Sequence, residues 1–232
     1  MRASDVMARS VVTTAEDATV VDVAKLMVSQ RISGVPVAGR DGRLVGIVTE
    51  GDMLRRAETR TERHRARWSD WFAPNSRLAA EYVKSHGRRV ADIMTRNVIS
   101  IGEFATLGEI ADLMENRRIK RVPVVTDGKI VGIVSRADLL RVLASGGGQS
   151  GDEGGDRMIR DRLLAELRSQ RWADPTEGNI VVADGVVHLW NIVGSDAERR
   201  ALRIAAENTP GVRAVEDHMV SGCRPGPLYP VI

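Results

Sequence analysis

The chain has 232 residues, a net charge of +3, 43% hydrophobic residues and one cysteine, Cys223. That length suits one large domain or two small ones, and no stretch approaches the ~20 apolar residues of a membrane helix. One thiol excludes an internal disulfide, and the start MRASDVMARSVV lacks the apolar run of a secretory leader, so a cytoplasmic location is expected.

In chain order, the first predicted element is a short apolar strand at Val11-Val12. Thr19 then occupies a helix N-cap position, with Asp22 placed to reach back to it. Val20, Val23, Ala24 and Met27 have the spacing of one helix face. The β-rich run Val35-Pro36-Val37 follows, then a turn at Asp41-Gly42 and a second strand at 44–48. Asp52-Met53-Leu54 opens a closing helix.

The same series returns after a long insert. At an offset of 87, Asp5 meets Asp92, Met7 meets Met94, Thr19 meets Thr106, Ala24 meets Ala111 and Met27 meets Met114. Arg31-Ile32 meets Arg118-Ile119, and Val35-Pro36-Val37 meets Val122-Pro123-Val124. One residue is lost in the turn at Asp127-Gly128. At an offset of 86, Gly46-Ile47-Val48 then meets Gly132-Ile133-Val134, and Asp52 meets Asp138. In the second copy, Thr106 and Glu109 spell a complete capping box, T-x-x-E. Residues 1–55 and 90–143 are therefore two copies of one small α/β unit.

The insert, 56–89, concentrates the basicity. Between Arg55 and Arg89 stand ten Lys/Arg and four Asp/Glu, so the remainder of the chain is net acidic. Trp68, Trp71 and Phe72 lie at i, i+3 and i+4, and the run 79–83 reads as helix. This face either packs on the repeat core or meets a partner. The basic run is either a solvated helix face or a surface for nucleic acid, an acidic membrane or an acidic ligand.

The segment 144–155, which contains SGGGQSGDEGG, reads as a flexible linker. Beyond it, Ile159, Leu163, Leu164 and Leu167 stripe one helix face. Runs at 179–183 and 186–193 flank Asp184-Gly185, a hairpin signal. Ser195 and Glu198 cap another helix with Leu202, Ala205 and Ala206 on one face, and 212–220 supplies a last strand. The order over 156–220 is α-β-β-α-β, and the tail 221–232 reads as poorly ordered. The whole is an α/β (α+β) chain.

The chemistry concentrates in Gly46-Ile47-Val48-Thr49-Glu50-Gly51-Asp52 and its echo, Gly132 to Asp138. A hydroxyl ends each strand, and a carboxylate follows three residues on at a helix start. An ionised carboxylate only accepts hydrogen bonds, which suits the two donors of a ribose cis-diol. A helix N-terminus favours a nearby anion. The alternative duty is capping of the closing helix; recurrence in both copies favours a ligand.

The paired pattern D-h-M, V-P-V and G-I-V-[TS]-x-x-D resembles a tandem CBS domain over roughly residues 1–143. The resemblance implies β-α-β-β-α copies packed about a pseudo-twofold axis, frequent homodimers, and an adenosine nucleotide such as AMP, ADP or ATP in clefts between the copies. Carried over by position, the second-copy cleft uses Thr95 and Ser100, the backbone of Val98 and Ile99 toward adenine, and Lys120 and Arg121 toward phosphate. Val122 and Pro123 follow these two cations, with Ser135 and Asp138 on the ribose. The first-copy cleft uses Thr13, Val35, Pro36, Thr49 and Asp52, but Ser33-Gly34 stand opposite Lys120-Arg121. Without those cations phosphate is held less strongly, since charge-assisted bonds are the strong ones.

Residues 156–220 resemble a BON domain through Asp156, Ile159, Leu163, the D-G-V-V at 184–187, I-V-G at 192–194 and G-V-x-x-V at 211–215. That family is associated with phospholipid contact, and a lipid or protein partner follows from the resemblance. No catalytic set and no metal set emerges: His64, His86, His188 and His218 are scattered, and no phosphate loop, nucleophile elbow or Cys/His pair occurs. The expectation is a non-enzymatic regulatory protein: a tandem CBS module sensing an adenine nucleotide, without a covalent cofactor, coupled to a flexibly tethered BON output or anchor. Two rivals remain, a nucleic-acid binder using the basic insert and a membrane-surface or protein adaptor acting through the BON unit.

Overall fold

The computed structural model describes residues 1–54, 75–146, 153–173 and 180–222. Trp68, Trp71, Phe72, most of the basic run, the middle of the glycine-rich linker and Cys223 lie outside the described residues. Two compact units are present, Met1–Val11 with Ile99–Ile232, and Val12–Val98. The units in space are thus not the copies in sequence: the leading segment of each copy belongs to the unit that holds the other copy's sheet.

In the Val12–Val98 unit, helix α2 (Val20–Ser29) follows the short helix α1 (Ala3–Val6) of the other unit in chain order. The Thr19 hydroxyl accepts from Asp22 N at 3.1 Å and donates to its carboxylate at 2.6 Å. Val20, Val23 and Met27 are buried, as the helical spacing predicts. The helix ends where Arg31 turns left-handed at φ 52, with Ile32 N donating back to Met27 O at 2.9 Å. Strands β1 (Gly34–Ala38) and β2 (Leu44–Thr49) form an antiparallel hairpin. The one-turn helix α3 (Glu50–Met53) closes the motif, and α4 (Asn75–His86) contains the predicted helical run 79–83. Helix α5 (Val90–Ile93) completes this unit. Val90, Ile93 and Met94 share one core with Val23, Val35, Val37 and Val48.

The other unit repeats the plan. Helix α6 (Leu107–Asn116) carries the expected capping box: Glu109 N donates to Thr106 Oγ1 at 3.3 Å, and Thr106 N donates to the Glu109 carboxylate at 2.8 Å. Arg118 ends it at φ 53, and Ile119 N donates to Met114 O at 3.0 Å. Strands β3 (Arg121–Thr126) and β4 (Lys129–Ser135) form the hairpin, and helix α7 (Arg136–Ala144) closes it. The core joins Ala3, Val6 and Met7 to Ile110, Met114, Val122, Val124, Val134 and Val142.

Two glycines explain the exchange of leading segments. A Cβ on Gly132 would overlap Met7 Sδ, and a Cβ on Gly46 would overlap Met94 Sδ. The methionine of each D-h-M therefore lies against the glycine of the G-I-V that belongs to the other copy. Ala8 and Ile133 exchange two backbone hydrogen bonds of 3.0 Å, and Thr95 and Ile47 exchange two of 2.9 and 3.0 Å. The aspartate of each motif caps its own short helix: Arg2 N donates to Asp5 at 2.7 Å, and Arg89 N to Asp92 at 3.1 Å.

One expectation fails. Val11-Val12 and Val98-Ile99 form no strand; each copy has only single parallel bridges, Thr14 to Val37 and Ile101 to Val124. Val11, Val12, Val98 and Ile99 are half-buried, and pairing with the strand edge is confined to Thr14 and Ile101, so apolar composition there produces partial burial without a ladder.

The C-terminal part holds helix α8 (Glu153–Ser169), strands β5 (Ile180–Ala183), β6 (Val186–Leu189) and β7 (Ile192–Val193), helix α9 (Asp196–Glu207), and strands β8 (Ala214–Asp217) and β9 (Val220–Ser221). Asp184 at φ 50 and Gly185 at φ 74 make the predicted hairpin turn. Sheet order is β5-β6-β8, with β8 parallel to β6. The single last strand predicted at 212–220 is divided: β9 leaves that sheet and pairs with β7. Ile159, Leu163, Leu164, Leu167, Leu202 and Ala206 form the core expected from the two helix stripes.

This domain packs against residues 3–7 of the same unit. Val181 is buried in the same core as Ala3 and Met7, and Trp190 packs against it. Arg157 grips Asp5 through two hydrogen bonds of 2.8 and 3.0 Å. Arg160, only 6% exposed, donates to the carbonyls of Ile180 at 2.9 Å and Ser4 at 3.0 Å. Burial pushes its pKa down to about 10, assisted by the nearby Arg9 charge and opposed by Asp5 and Asp161, so it stays a cation at neutral pH. A buried cation persists only where carbonyls replace its water.

Candidate functional site

The open end of the β3–β4 hairpin gathers most of the second-copy residues. Arg121 pairs with Ser135 in the ladder, and Arg136 N donates to the Lys120 carbonyl at 3.1 Å, which ties that end shut. Asp138 sits on the first turn of α7. Its Oδ2 accepts from Ser135 N and Ser135 Oγ, both at 2.7 Å, and its Oδ1 accepts from Arg141 Nη1 at 2.6 Å. Asp138 caps the closing helix, one of the two duties expected of it, with the Ser135 hydroxyl beside its carboxylate.

The side chains differ in availability. Lys120 and Ser100 are exposed, Ile99, Arg121 and Ser135 are half-buried, and Val122, Pro123 and Asp138 are buried. The carboxylate oxygens of Asp138 offer about four acceptor positions, and three donors already occupy them. Ile101 N donates to Pro123 O at 3.0 Å, and Val125 N to Ile101 O at 2.8 Å, which fixes the segment beginning at Ile99 beside the strand. Thr95 and Val98, expected in the same set, belong to the Val12–Val98 unit, where Thr95 is held to Ile47.

The first copy reproduces this scaffold almost bond for bond. Gly34 pairs with Thr49, and Glu50 N donates to the Ser33 carbonyl at 3.1 Å. Thr14 N donates to Pro36 O at 3.1 Å, with the exposed Thr13 next to it. Val35 and Pro36 are buried. Asp52 Oδ2 accepts from Thr49 N at 2.9 Å and Thr49 Oγ1 at 2.8 Å. The cations differ. Where Asp138 meets Arg141 from its own helix, Asp52 meets Lys84 Nζ at 3.9 Å, supplied by α4 of the insert. Sequence reading missed Lys84, because a cation 32 positions downstream leaves no local signature; the +6 charge of residues 55–89 was the available hint.

Known proteins extend these observations. The sequence matches the CBS domain at residues 3–58 and 90–145, and the BON domain at residues 155–222. It is 33% identical over 159 residues to the uncharacterized protein MJ1426 of Methanocaldococcus jannaschii, covering 62% of this chain and 91% of that protein. It is 32% identical over 133 residues to the CBS domain-containing protein CBSX1, chloroplastic, of Arabidopsis thaliana, covering 53% of this chain and 55% of that protein. The chain thus spans about half the length of that second relative. The fold is similar to the crystal structure of CBSX2 in complex with AMP, with a TM-score of 0.54 and 25% identity, covering 62% of this chain and 97% of the other. The chain therefore belongs to the CBS-domain proteins, with two CBS domains in tandem and a BON domain after them.

Proposed function

We propose that the CBS pair binds an adenosine-containing nucleotide as a regulatory ligand, with the second copy better equipped than the first, and that the BON domain is the output element. The observation that carries this reading is the convergence of Lys120, Arg121, Ser135 and Asp138 at one hairpin end, with cations at its start and the polarised hydroxyl–carboxylate pair beside them. Cations suit phosphate and the hydroxyl–carboxylate pair suits ribose. The likeness to CBSX2, whose structure was determined in complex with AMP, supports the adenosine class. Asp52, Thr49, Ser33 and Gly34 form the weaker counterpart. The protein acts without catalysis, in the cytoplasm, as a homodimer through its CBS pair; the BON domain offers a surface to a protein or lipid partner.

The docked BON domain gives ligand binding a physical route to that output. Residues 3–8 touch the copy-2 strand through Met7 and Ala8, and touch the BON domain through Ser4 and Asp5. A ligand shifts this arrangement only by binding its two states unequally. Calorimetry with AMP, ADP, ATP, NAD, S-adenosylmethionine and cyclic dinucleotides tests the reading. Wild type is expected to bind one adenosine compound below about millimolar, and Lys120→Ala to weaken phosphate-bearing ligands at least tenfold. No adenosine compound bound, or equal binding by Lys120→Ala and Asp138→Asn, contradicts it.

A further inference from the structure

The parallel register of β6 and β8 sets His188 opposite Glu216. Two residues on, His218 returns to the same face. His188 Nδ1 lies 3.2 Å from His218 Nε2, and each of these nitrogens lies 3.4 Å from Glu216 Oε2. Three ligand atoms of the kinds that hold transition metals thus form a nearly equilateral triangle, the sole such group among the described residues. We propose that His188, Glu216 and His218 bind a divalent cation of the zinc class, with a fourth position open to water.

The dimensions favour a metal over a plain hydrogen-bonded trio. Zinc–nitrogen and zinc–oxygen bonds of about 2.0–2.1 Å place tetrahedral ligands about 3.3 Å apart. The observed separations of 3.2, 3.4 and 3.4 Å match all three edges. Hydrogen bonds alone fit less well. A neutral imidazole has one N–H and one acceptor nitrogen, so a neutral pair cannot protonate every edge of a triangle that includes a carboxylate. One edge is left with either two acceptors or two N–H groups facing each other, and a metal bound by the unprotonated nitrogens and the carboxylate removes that conflict.

The rings are also held in place. Trp190 stacks on His218 at 3.9 Å and 12°, and the two histidine rings are parallel within 5° at 5.5 Å. His218 N donates to Leu189 O at 3.0 Å. Arg199 clamps the intervening Asp217 through hydrogen bonds of 2.7 and 3.1 Å, which fixes the strand end carrying Glu216 and His218. His188 is buried while Glu216 is exposed, giving an ion an entry side. Two imidazoles and one carboxylate with an open position suit zinc better than calcium or magnesium, which take oxygen ligands. His188 on β6 lies about 30 residues before Glu216 and His218 at the end of β8, so no short spacing betrays the full set.

The test uses the full chain stripped with a chelator. Zinc chloride is titrated calorimetrically, and cobalt(II) is added as a spectroscopic stand-in. Wild type is expected to bind one zinc ion per chain at this site and to give the intense visible band of tetrahedral cobalt. His218→Ala and Glu216→Gln are each expected to weaken zinc at least tenfold and to lose the band, while His86→Ala keeps both. Glu216 is exposed, so Glu216→Gln carries the test even where His218→Ala fails to fold; its metal-free melting curve should overlay that of wild type. Absence of zinc binding by wild type, a six-coordinate cobalt spectrum, or wild-type behaviour of Glu216→Gln overturns the proposal.

Discussion

Arg160 donates to the carbonyl oxygen of Ser4 at 3.0 Å, bridging 156 positions of sequence. The bond sits at the junction of BON domain, leading helix and copy-2 sheet, because the same guanidinium reaches Ile180 O on β5. Replacing Arg160 with Met keeps the volume but removes the donor that reaches the carbonyls of Ile180, Ser4 and Met7, of which Ser4 O keeps Arg9 Nη2 at 3.2 Å. Loss of such charge-assisted bonds costs about 1.5–3 kcal/mol. Urea unfolding of Arg160→Met is expected to show that loss, or a separate early transition of the BON domain.

Asp5 makes the neighbouring contact sensitive to acid. Burial tends to raise its pKa, but the hydrogen bonds from Arg157 and Arg2 outweigh this and leave it below the ordinary 3.8. A depressed carboxylate contributes stability that is fully present above its unfolded value and is lost as pH falls through the folded one. Wild type should therefore exceed Asp5→Asn in stability by a constant margin at neutral pH. That margin should shrink only below the ordinary aspartate value, when both are followed by denaturant titration across pH.

Gly132 and Met7 should behave as a coupled pair. Gly132→Ala drives a methyl group into the Met7 thioether, and overpacking of this kind costs about 1–3 kcal/mol. Met7→Ala opens the space that the methyl needs. The double variant should be less destabilised than the sum of the two single ones, and a double-mutant cycle measures the difference. Gly46 and Met94 should repeat the result.

The asymmetry between copies predicts a gain of function. Ser33→Lys restores one cation where the first copy lacks it, on a half-buried residue at the hairpin start. Calorimetry with AMP should then show higher affinity at a second site, while Lys120→Ala lowers affinity at the first. Lys120 is exposed, so its removal should change stability by less than about 0.5 kcal/mol.

Much of this architecture was legible because it is written in periodic and local signals. Thr106–Glu109 capping, the helix stripe of Val20, Val23 and Met27, and the Asp184-Gly185 turn each depend on residues a few positions apart. The pairing of Met7 with Gly132 was not legible: both residues were visible as repeat landmarks, but the repeat could not reveal that each motif serves the other copy. Nor could sequence place Arg31 and Arg118 in left-handed conformation, where glycine is the usual occupant. The packing of the BON domain against residues 3–7 was not legible, because a glycine-rich linker reports chain freedom locally and says nothing of Arg157 and Arg160 beyond it. At the candidate site, Ser135 and Asp138 were found from their recurrence, whereas Lys84 came from a distant helix.

Amide hydrogen exchange of the full chain, with and without saturating AMP, tests sensing and relay together. The account predicts slowed exchange at 99–101 and 120–138, and an accompanying change at 3–8 and 180–183, where the leading helix meets the BON domain. Unaltered exchange throughout would contradict ligand sensing. A change confined to the hairpin end would contradict the relay.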